Sequence, residues 1–438
     1  MTIFSSLLFG VFGLSVLIGI AYLFSDNKKH VNWWQVMMGI GLQLLFAVFV
    51  ILTPWGAVVF DAIATFFVKI ISFTFDGANF VFGALSDQTT FSEAFPSDMT
   101  GVGFVFAFQV LPTIIFFSSL MSVLYHLGIM QKIVQGMAWV MVKVLKISGS
   151  ESISVAANVF IGQTEAPLVV RPYVEAMTKS ELFTLMVGGM ATIAGGVLAA
   201  YVGLLGGTDP VQQVFYAKHL LSASIMAAPA TIVVAKILIP ERNKSLTMGK
   251  VEIDVEKNSS NVIEAAANGA ADGLKLALNV AAMLLAFIAL IAMLNWMLQG
   301  VFTDLLGLNF SDGKPVNLEN ILGYVLSPIA WIIGVPWNDA VTVGSLIGQK
   351  VVLNEFIAYL KLSEMIPLGI LSEKAVLIST YALCGFANFS SIAIQIGGIG
   401  GIAPKRKSDL ARYGLRAVLG GSIATFMTAT IAGVLYSL

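Results

Sequence analysis

The chain has 438 residues, of which 57% are hydrophobic and 11% are charged, and its mean hydropathy is +0.88. Soluble domains contain about 25% charged residues, so this composition predicts a multi-pass protein of the lipid bilayer. A net charge of −1 gives no indication of nucleic-acid binding. The single cysteine, Cys384, excludes an internal disulfide, and the scattered His30, His126 and His219 show no metal-ligand spacing.

Eight hydrophobic stretches are long enough to cross a bilayer as helices. The first has no basic residues before it and is long for a signal sequence, which indicates a retained helix. Three more stretches are apolar but short or amphipathic, which predicts interfacial helices at 57–84, 131–146 and 318–334. The predicted spans are 3–24, 33–53, 102–128, 181–204, 214–239, 272–298, 373–398 and 412–437.

Lysine and arginine concentrate in the loops on one side of these spans. The positive-inside rule places that side in the cytoplasm and therefore both termini outside. The basic residues on the cytoplasmic side are Lys28, Lys29, Lys132, Lys143, Lys146, Arg171, Lys179, Arg242, Lys244, Lys250, Lys405, Arg406 and Lys407.

Two short segments, 158–167 and 347–356, place polar residues inside apolar sequence, and both contain Ile-Gly-Gln followed by an acid. An ionisable group at membrane depth costs roughly 2.5–3.5 kcal/mol, so it usually marks a pathway or a binding site. Helical arms of about 13 residues reach only about 20 Å. The segments therefore predict two re-entrant hairpins, broken near Gly162-Gln163 and Gly348-Gln349, whose tips line a cavity at the midplane. We expect Glu165 and Glu355 to meet around that single chamber.

The same order of elements recurs in the two halves of the chain. In each half an interfacial helix precedes a hairpin, a broken span and a final span. The broken spans are predicted to begin with serine caps at Ser180-Glu181 and Ser372-Glu373 and to break at Gly195-Gly196 and at Gly385. One span lies between the halves, which predicts an inverted repeat typical of transporters. The predicted fold is an all-α membrane protein with eight transmembrane helices, two re-entrant hairpins and interfacial helices. Its parts are an N-terminal scaffold (1–130), a first repeat (131–239), a cytoplasmic linker (240–271), a scaffold span (272–300) and a second repeat (317–438).

The polar residues at the breaks have the chemistry of a site for a neutral solute. Gln163, Thr164 and Glu165 supply an amide, a hydroxyl and a carboxylate. Glu355 can accept from vicinal hydroxyls, and the segment 386–391 adds aromatic rings, an amide and hydroxyls. Aromatic stacking, amide pairing and a diol acceptor together describe a sugar joined to a heterocyclic base.

Three motifs, Gly162 to Pro167, Asn354-Glu355-Phe356, and Gly385 to Phe389 with Ser391, closely resemble those of concentrative nucleoside transporters of the bacterial eight-span, sodium-coupled type. The resemblance covers nearly the whole chain. It implies a sodium-driven nucleoside symporter of the inner membrane, not an enzyme. It also implies a homotrimer in which spans one, two, three and six form a scaffold and the hairpins and broken spans move against it as an elevator.

The same resemblance implies roles for individual residues. Gln163, Thr164 and Glu165 would bind the nucleobase side, Val197 and Phe386 would make apolar contacts, and Glu355, Asn388 and Ser391 would hold the ribose. Sodium would lie between the side chains of Asn158 and Thr192 and the carbonyls of Ile161 and Ile193. Thr192 stands where the family pattern has serine, and the hydroxyl is kept. Oxygen ligands suit a hard cation.

Several alternatives remain open from the sequence. Val197 could pack within its span, and Ser391 could bond to its own helix backbone. Lys350 has no assigned role. A proton-coupled symporter, with Glu165 or Glu355 as proton carrier, is the rival within the same class. A channel lacks a charge ring or carbonyl filter, and an intramembrane enzyme lacks a convincing catalytic arrangement.

Overall fold

The computed structural model describes residues 3–87, 90–91, 104–249, 259–310 and 313–437. These residues form helices and loops, with two isolated bridges and no named strand among them. The prediction of an all-α fold is confirmed. Lys250, the first two residues of the predicted span 102–128 and the middle of the predicted linker lie outside the described residues.

The nineteen α-helices of the described residues are numbered in chain order. The N-terminal part contains α1 (Ile3–Leu23), α2 (Trp33–Leu52), α3 (Pro54–Phe82), α4 (Phe106–Gln109) and α5 (Leu111–His126). The first repeat contains α6 (Ile129–Leu145), α7 (Gly149–Asn158), α8 (Ala166–Val169), α9 (Arg171–Val174), α10 (Lys179–Ala191), α11 (Gly195–Gly206) and α12 (Pro210–Leu238). The remainder contains α13 (Val262–Leu298), α14 (Leu318–Ile332), α15 (Trp337–Val352), α16 (Glu355–Met365), α17 (Glu373–Ala382), α18 (Phe389–Ile402) and α19 (Lys407–Leu435).

The helices separate into a buried inner group and an exposed outer group. Helices α10, α11, α12 and α19 are buried along most of their length. Helices α1, α2, α3 and α13 instead expose large apolar side chains, among them Phe4, Trp55, Phe80 and Leu285. Lipid tails are as apolar as these side chains, so the outer surface fits a bilayer.

Eight helical segments of the described residues are long and apolar enough to cross a membrane, and seven of them overlap predicted spans. The eighth does not. The stretch 373–398 is two separate helices, α17 and α18, whereas Pro54–Ser86 meets the criteria of length and hydropathy. The interfacial placement of 57–84 therefore remains a prediction. Helix α13 begins at Val262, so the C-terminal part of the predicted linker is helical.

The first hairpin consists of α7, a turn over residues 159–165, and the short helices α8 and α9. Helix α7 has 10 residues, which extend only about 15 Å. The second hairpin consists of α15 and α16, with 16 and 11 residues. Neither arm covers the ~30 Å hydrocarbon thickness of a bilayer, so both hairpins have the dimensions of re-entrant elements.

The break of the second hairpin lies at Leu353-Asn354, so its prediction at Gly348-Gln349 is wrong. Gly348 lies within α15, where an added Cβ would be 2.5 Å from the Cβ of Leu322. This glycine allows α15 to pack closely against α14. The two helices follow each other in the chain and are bent by 116° relative to each other. A glycine in apolar sequence can thus serve helix packing and not a chain break.

The helix caps show one further correction. Thr178, not Ser180, caps α10, because its side chain accepts from the Glu181 amide while the Glu181 carboxylate accepts from the Thr178 amide. This reciprocal capping box requires a spacing of three residues, which Ser180 and Glu181 do not have. The second predicted cap is confirmed: Ser372 caps α17 through the Ala375 amide.

Both broken spans separate into two helices, and their breaks lie against each other. The first break covers residues 192–194 and the second covers residues 383–388, so Gly195 and Gly196 begin α11 and do not form the break itself. An added Cβ at Gly385 would lie 2.8 Å from the Met190 carbonyl oxygen and 2.9 Å from the Thr425 methyl carbon. The absence of a side chain at Gly385 therefore lets the two breaks approach each other.

Candidate functional site

A chain of hydrogen bonds connects the two hairpin tips through the second broken span. Gln163, in the first tip, donates from Nε2 to Ser391 Oγ at 3.0 Å. The Ser391 amide donates to Asn388 Oδ1 at 2.9 Å, and Asn388 Nδ2 donates to Glu355 Oε2 at 3.0 Å in the second tip. The structure therefore brings together four of the eight predicted substrate residues, all of them buried.

The N-terminal ends of α18 and α16 position the side chains of Asn388 and Glu355. Asn388 caps α18, and its side-chain oxygen is thereby fixed on the Ser391 amide. Asn354 caps α16 and accepts from the Ile357 amide at 2.9 Å, which places Glu355 at the first position of that helix. The N-terminal end of a helix carries a partial positive charge, so the Glu355 carboxylate lies where a helix stabilises it.

Two buried residues that the sequence analysis missed complete the chain at its ends. The Tyr201 hydroxyl donates to Glu355 Oε1 at 2.8 Å. Gln395 Nε2 donates to Gln163 Oε1 at 3.1 Å and to the Met186 carbonyl at 2.9 Å. Tyr201 follows Val197 by four residues and Gln395 follows Ser391 by four residues. Residues four apart share a helix face, and this periodicity was the available signal.

Glu165 and Thr164 lie outside this chain of hydrogen bonds. Both side chains are exposed, and Thr164 lies beside Gly398, whose added Cβ would be 3.4 Å from the Thr164 methyl carbon. Glu165 lines a cavity of about 770 Å³, and Glu355 does not. The structure thus does not place the two acids around one shared chamber as expected.

The cavity lies between the first hairpin, the first broken span and two outer helices. The first tip contributes Phe160 and Ile161 in addition to Glu165, and the broken span contributes the segment 194–196. The outer walls are α5, from Phe117 to His126, and α13, from Gly269 to Leu276. A cavity of this size accommodates a small organic solute.

The two predicted apolar contacts occupy different surroundings. Val197 is buried, in the first turn of α11, next to Gly196, whose added Cβ would lie 3.4 Å from the Ile114 carbonyl oxygen. Phe386 is half-buried within the second break and packs against the core. Its carbonyl accepts at 2.9 Å from the amide of Asn388, which belongs to the chain of hydrogen bonds.

The four predicted sodium ligands lie where the first hairpin tip meets the first broken span. The Gly195 amide donates to the Phe160 carbonyl at 3.0 Å and joins the two segments. Asn158 is buried and donates to the Ser154 carbonyl at 3.0 Å, but no described residue donates a hydrogen bond to its Oδ1. Thr192 is buried and donates to the Gly188 carbonyl at 2.9 Å, which leaves its oxygen free to accept.

A buried oxygen without a donor fits a bound cation. The Asn158 amide lies close to the broken span, because an added Cβ at Gly188 would be 3.3 Å from Asn158 Nδ2. Ile161 and Ile193 are also buried. Ile161 follows Asn158 by three residues, and Ile193 directly follows Thr192. Hydroxyl, amide and backbone carbonyl oxygens are the ligands of hard cations, so the donor set suits sodium.

An all-helical membrane fold with two hairpins, two broken spans and a buried polar chain between them defines a secondary transporter. Family models match residues 12–85 and 219–433 as the N-terminus and C-terminus of Na⁺ dependent nucleoside transporters, and residues 107–208 as a nucleoside recognition "gate". The chain belongs to the concentrative nucleoside transporter family. Its relatives are transporters, not enzymes.

Two curated relatives match over nearly their whole length. The chain is 46% identical to the uncharacterized transporter YutK of Bacillus subtilis, with 98% of this chain and 99% of the relative covered. It is 41% identical to the nucleoside permease NupC of Helicobacter pylori, with 100% of this chain and 99% of the relative covered.

Solved structures of the transporter CNTnw are also similar, at 42% identity. The inward-facing, substrate-bound state gives a TM-score of 0.88 over 98% of this chain and 99% of that one. A double variant in an outward-facing state gives 0.90 over the whole of both chains. The elevator-type fold is thereby confirmed for this chain.

Proposed function

We propose that the protein imports nucleosides across the cell inner membrane and that the sodium gradient drives the import. The observation that carries this proposal is the buried chain of hydrogen bonds from Gln163 to Glu355, which joins the two hairpin tips. It supplies amide groups at one end and a carboxylate at the other. A nucleoside presents a heterocyclic base and a pair of ribose hydroxyls in the same order.

The proposed ribose contacts are Glu355, Asn388 and Ser391. The proposed base contacts are Gln163, which belongs to the chain of hydrogen bonds, and Thr164 and Glu165, which lie in the same hairpin tip but outside that chain. An ionised carboxylate accepts about four hydrogen bonds, so Glu355 can hold ribose hydroxyls in addition to Tyr201 and Asn388. Val197 and Phe386 provide the apolar contacts. Uridine is the proposed model substrate.

Sodium binds first in the proposed cycle, on Asn158, Thr192 and the carbonyls of Ile161 and Ile193. The ion holds the first hairpin tip against the first broken span and thereby completes the substrate site. A ligand shifts a conformational equilibrium only by its difference in affinity for the two states, so sodium must favour the substrate-ready form. One positive charge that moves inward gains about 2.3 kcal/mol per 100 mV, which corresponds to roughly 50-fold accumulation.

The proposed assembly is a homotrimer with both termini outside the cell. Helices α1, α2, α5 and α13 form the scaffold, and the two hairpins and broken spans form the moving body. The distribution of Lys and Arg supports this orientation. In this proposed orientation the cavity beside Glu165 faces the cytoplasm, since Arg171, one of the basic residues assigned to that side, lines it together with Glu175.

The test is uptake of labelled uridine by proteoliposomes at fixed pH, with and without an inward sodium gradient. We expect accumulation only with sodium, and competition by other nucleosides. Uptake that ignores sodium but follows a proton gradient would replace sodium with the proton as the coupling ion. Absence of nucleoside uptake under either gradient would contradict the proposed function.

Replacement of the central carboxylate gives the first prediction. Glu355→Gln keeps the shape of the side chain but removes the charged acceptor of the ribose hydroxyls. We expect uridine uptake to fall at least ~100-fold, because hydrogen bonds to charged groups contribute about 1.5–3 kcal/mol each. Glu364→Gln, an exposed acid on the same helix that pairs with Lys361, is the matched control and should retain transport. Wild-type uptake in Glu355→Gln would exclude the ribose contact.

A further inference from the structure

Gln395 is a fully buried amide that connects the first hairpin tip to a backbone carbonyl of the first broken span. It lies on α18 and has no exposed surface. Its Nε2 donates both to the Met186 carbonyl on α10 at 2.9 Å and to Gln163 Oε1 at 3.1 Å. An added Cβ at Gly189, also on α10, would lie 2.8 Å from Gln395 Nε2 and 2.8 Å from Gln163 Cβ. The absence of a side chain at Gly189 therefore makes room for both glutamines against α10.

The Met186 carbonyl determines the direction of the hydrogen bonds in this part of the chain. A backbone carbonyl can only accept, so the Gln395 atom beside it must be the amide nitrogen. That nitrogen can only donate, so the Gln163 atom that faces it must be the oxygen. The Gln163 nitrogen is thereby turned to the other side, where it donates to Ser391 Oγ at 3.0 Å. One fixed acceptor thus sets the orientation of both side-chain amides.

This direction leaves hydrogen-bond donors at the end of the chain that belongs to the first tip. Gln163 turns its oxygen toward the fully buried Gln395 and its nitrogen toward Ser391, a proposed ribose contact. An amide nitrogen carries two N–H groups, and the bond to Ser391 uses one of them. Ser391 Oγ accepts that bond and donates to no other residue in the described part of the chain. The first tip therefore has an N–H group and an O–H group to offer to a substrate.

The amide of Gln395 does not serve stability alone. Its Oε1 is buried, and no described residue donates a hydrogen bond to it. A buried acceptor without a donor destabilises a fold, whereas a methionine of similar length would fill the position without that cost. The contacts of the amide nitrogen point instead to the orientation of Gln163.

We propose that Gln395 is a positioning residue that makes Gln163 a hydrogen-bond donor toward the nucleobase. This inference rests on the proposed function, in which Gln163 contacts the base. With its amide held in this orientation, Gln163 requires an acceptor such as a carbonyl oxygen on the base. A released amide can turn by half a rotation and present its oxygen, which suits an exocyclic amine. Gln395 thereby biases binding toward bases that carry a carbonyl oxygen at the contacted position.

Gln395→Met tests this role, because it keeps the length of the side chain and removes the amide. The experiment measures binding of uridine and cytidine, which exchange a carbonyl for an amine on the base, to the purified protein in saturating sodium. Melting temperatures check the folding. We expect the Kd of uridine to rise about tenfold and that of cytidine less than about threefold, because the released amide can accept from the amine. A purely structural role would weaken both nucleosides alike, and that result would overturn the inference.

Gln395→Glu should reverse the orientation of Gln163. A carboxylate can only accept, and a carboxylic acid that donates to the Met186 carbonyl also accepts from Gln163. The Gln163 nitrogen then turns toward residue 395 and its oxygen toward Ser391. We expect the ratio of the uridine Kd to the cytidine Kd to exceed the wild-type ratio by at least about tenfold. A wild-type ratio in the folded variant would overturn the inference, and this variant decides if Gln395→Met does not fold.

Gln349→Met is the matched control. Gln349 is also buried, but it donates to Ser345 Oγ at 3.1 Å, outside the polar chain, so this variant should keep the wild-type affinities for both nucleosides. If neither variant at Gln395 folds, the residue serves the stability of the fold and the inference is overturned. Absence of nucleoside binding by the wild type would instead contradict the proposed function, so the two failures are distinct.

Discussion

At the scale of single residues, the orientation of Glu355 depends on donors from both repeats. Tyr201 occupies one carboxylate oxygen and Asn388 occupies the other. Tyr201 is itself held by a ring contact with Tyr359 at a centroid distance of 4.3 Å. These contacts fix the carboxylate before substrate arrives, and such preorganisation reduces the entropic cost of binding.

Tyr201→Phe tests this role, because it removes the hydroxyl and keeps the ring. We expect uridine affinity to fall about tenfold or more, since a hydrogen bond to a charged acceptor contributes about 1.5–3 kcal/mol. Tyr359→Phe is the matched control. Its hydroxyl donates to the Thr380 carbonyl at 2.6 Å and not to Glu355, so it should lower the melting temperature more than the affinity. Equal affinity losses in both variants would show that Tyr201 acts through packing alone.

At the scale of elements, the C-terminal helix of each broken span donates a hydrogen bond to the hairpin tip of the other repeat. Tyr201 on α11 belongs to the first repeat and holds the second tip, whereas Gln395 on α18 belongs to the second repeat and holds the first tip. The two residues are 194 residues apart, as are the first residues of α11 and α18, so they occupy corresponding positions in the two repeats. The polar chain therefore joins the two hairpin tips through both broken spans.

The sequence predicted which segments are broken but not every point at which they break. The first hairpin tip was located correctly because Gly162 precedes three polar residues and a proline, which do not suit a helix interior. Gly348 and Gln349 lie inside α15 and do not break it. The glycine there serves close packing of the helix against Leu322. The four-residue spacing from Val197 and Ser391 places Tyr201 and Gln395 on the same helix faces as predicted site residues, but their partners Glu355 and Gln163 are far apart from them in sequence and are fixed by tertiary packing.

Gly385→Ala tests the contact between the two breaks. The added methyl group would lie 2.8 Å from the Met190 carbonyl oxygen, so the breaks must separate. Overpacking of this kind costs about 1–3 kcal/mol, and we expect a lower melting temperature and a loss of sodium-dependent uridine uptake. Gly401→Ala on α18 is the control, because nothing lies within 4 Å of its added Cβ. Unchanged uptake by Gly385→Ala would mean that the breaks need not touch.

At the scale of the whole molecule, buried helices carry the site and exposed helices face lipid. Comparison with CNTnw gives similar agreement for an inward-facing and an outward-facing state, so the overall fold does not distinguish them. The cavity extends from the first broken span at 194–196 to Tyr125, His126 and Arg171. If both termini lie outside, as we propose, these residues lie toward the cytoplasm, and the cavity then corresponds to an inward-facing state.

This orientation predicts which side of the membrane gives access to the first hairpin. The only native cysteine, Cys384, is buried, so a cysteine introduced elsewhere reports its own accessibility. Leu168 is 47% exposed and lines the cavity, and Leu168→Cys should react with a membrane-impermeant thiol reagent in inside-out vesicles but not in right-side-out vesicles. Thr208→Cys, in the exposed loop between α11 and α12, should show the opposite pattern, and the unmodified chain should not react. Labelling of Leu168→Cys from outside alone would reverse the proposed topology, because the positively charged loops would then face outward.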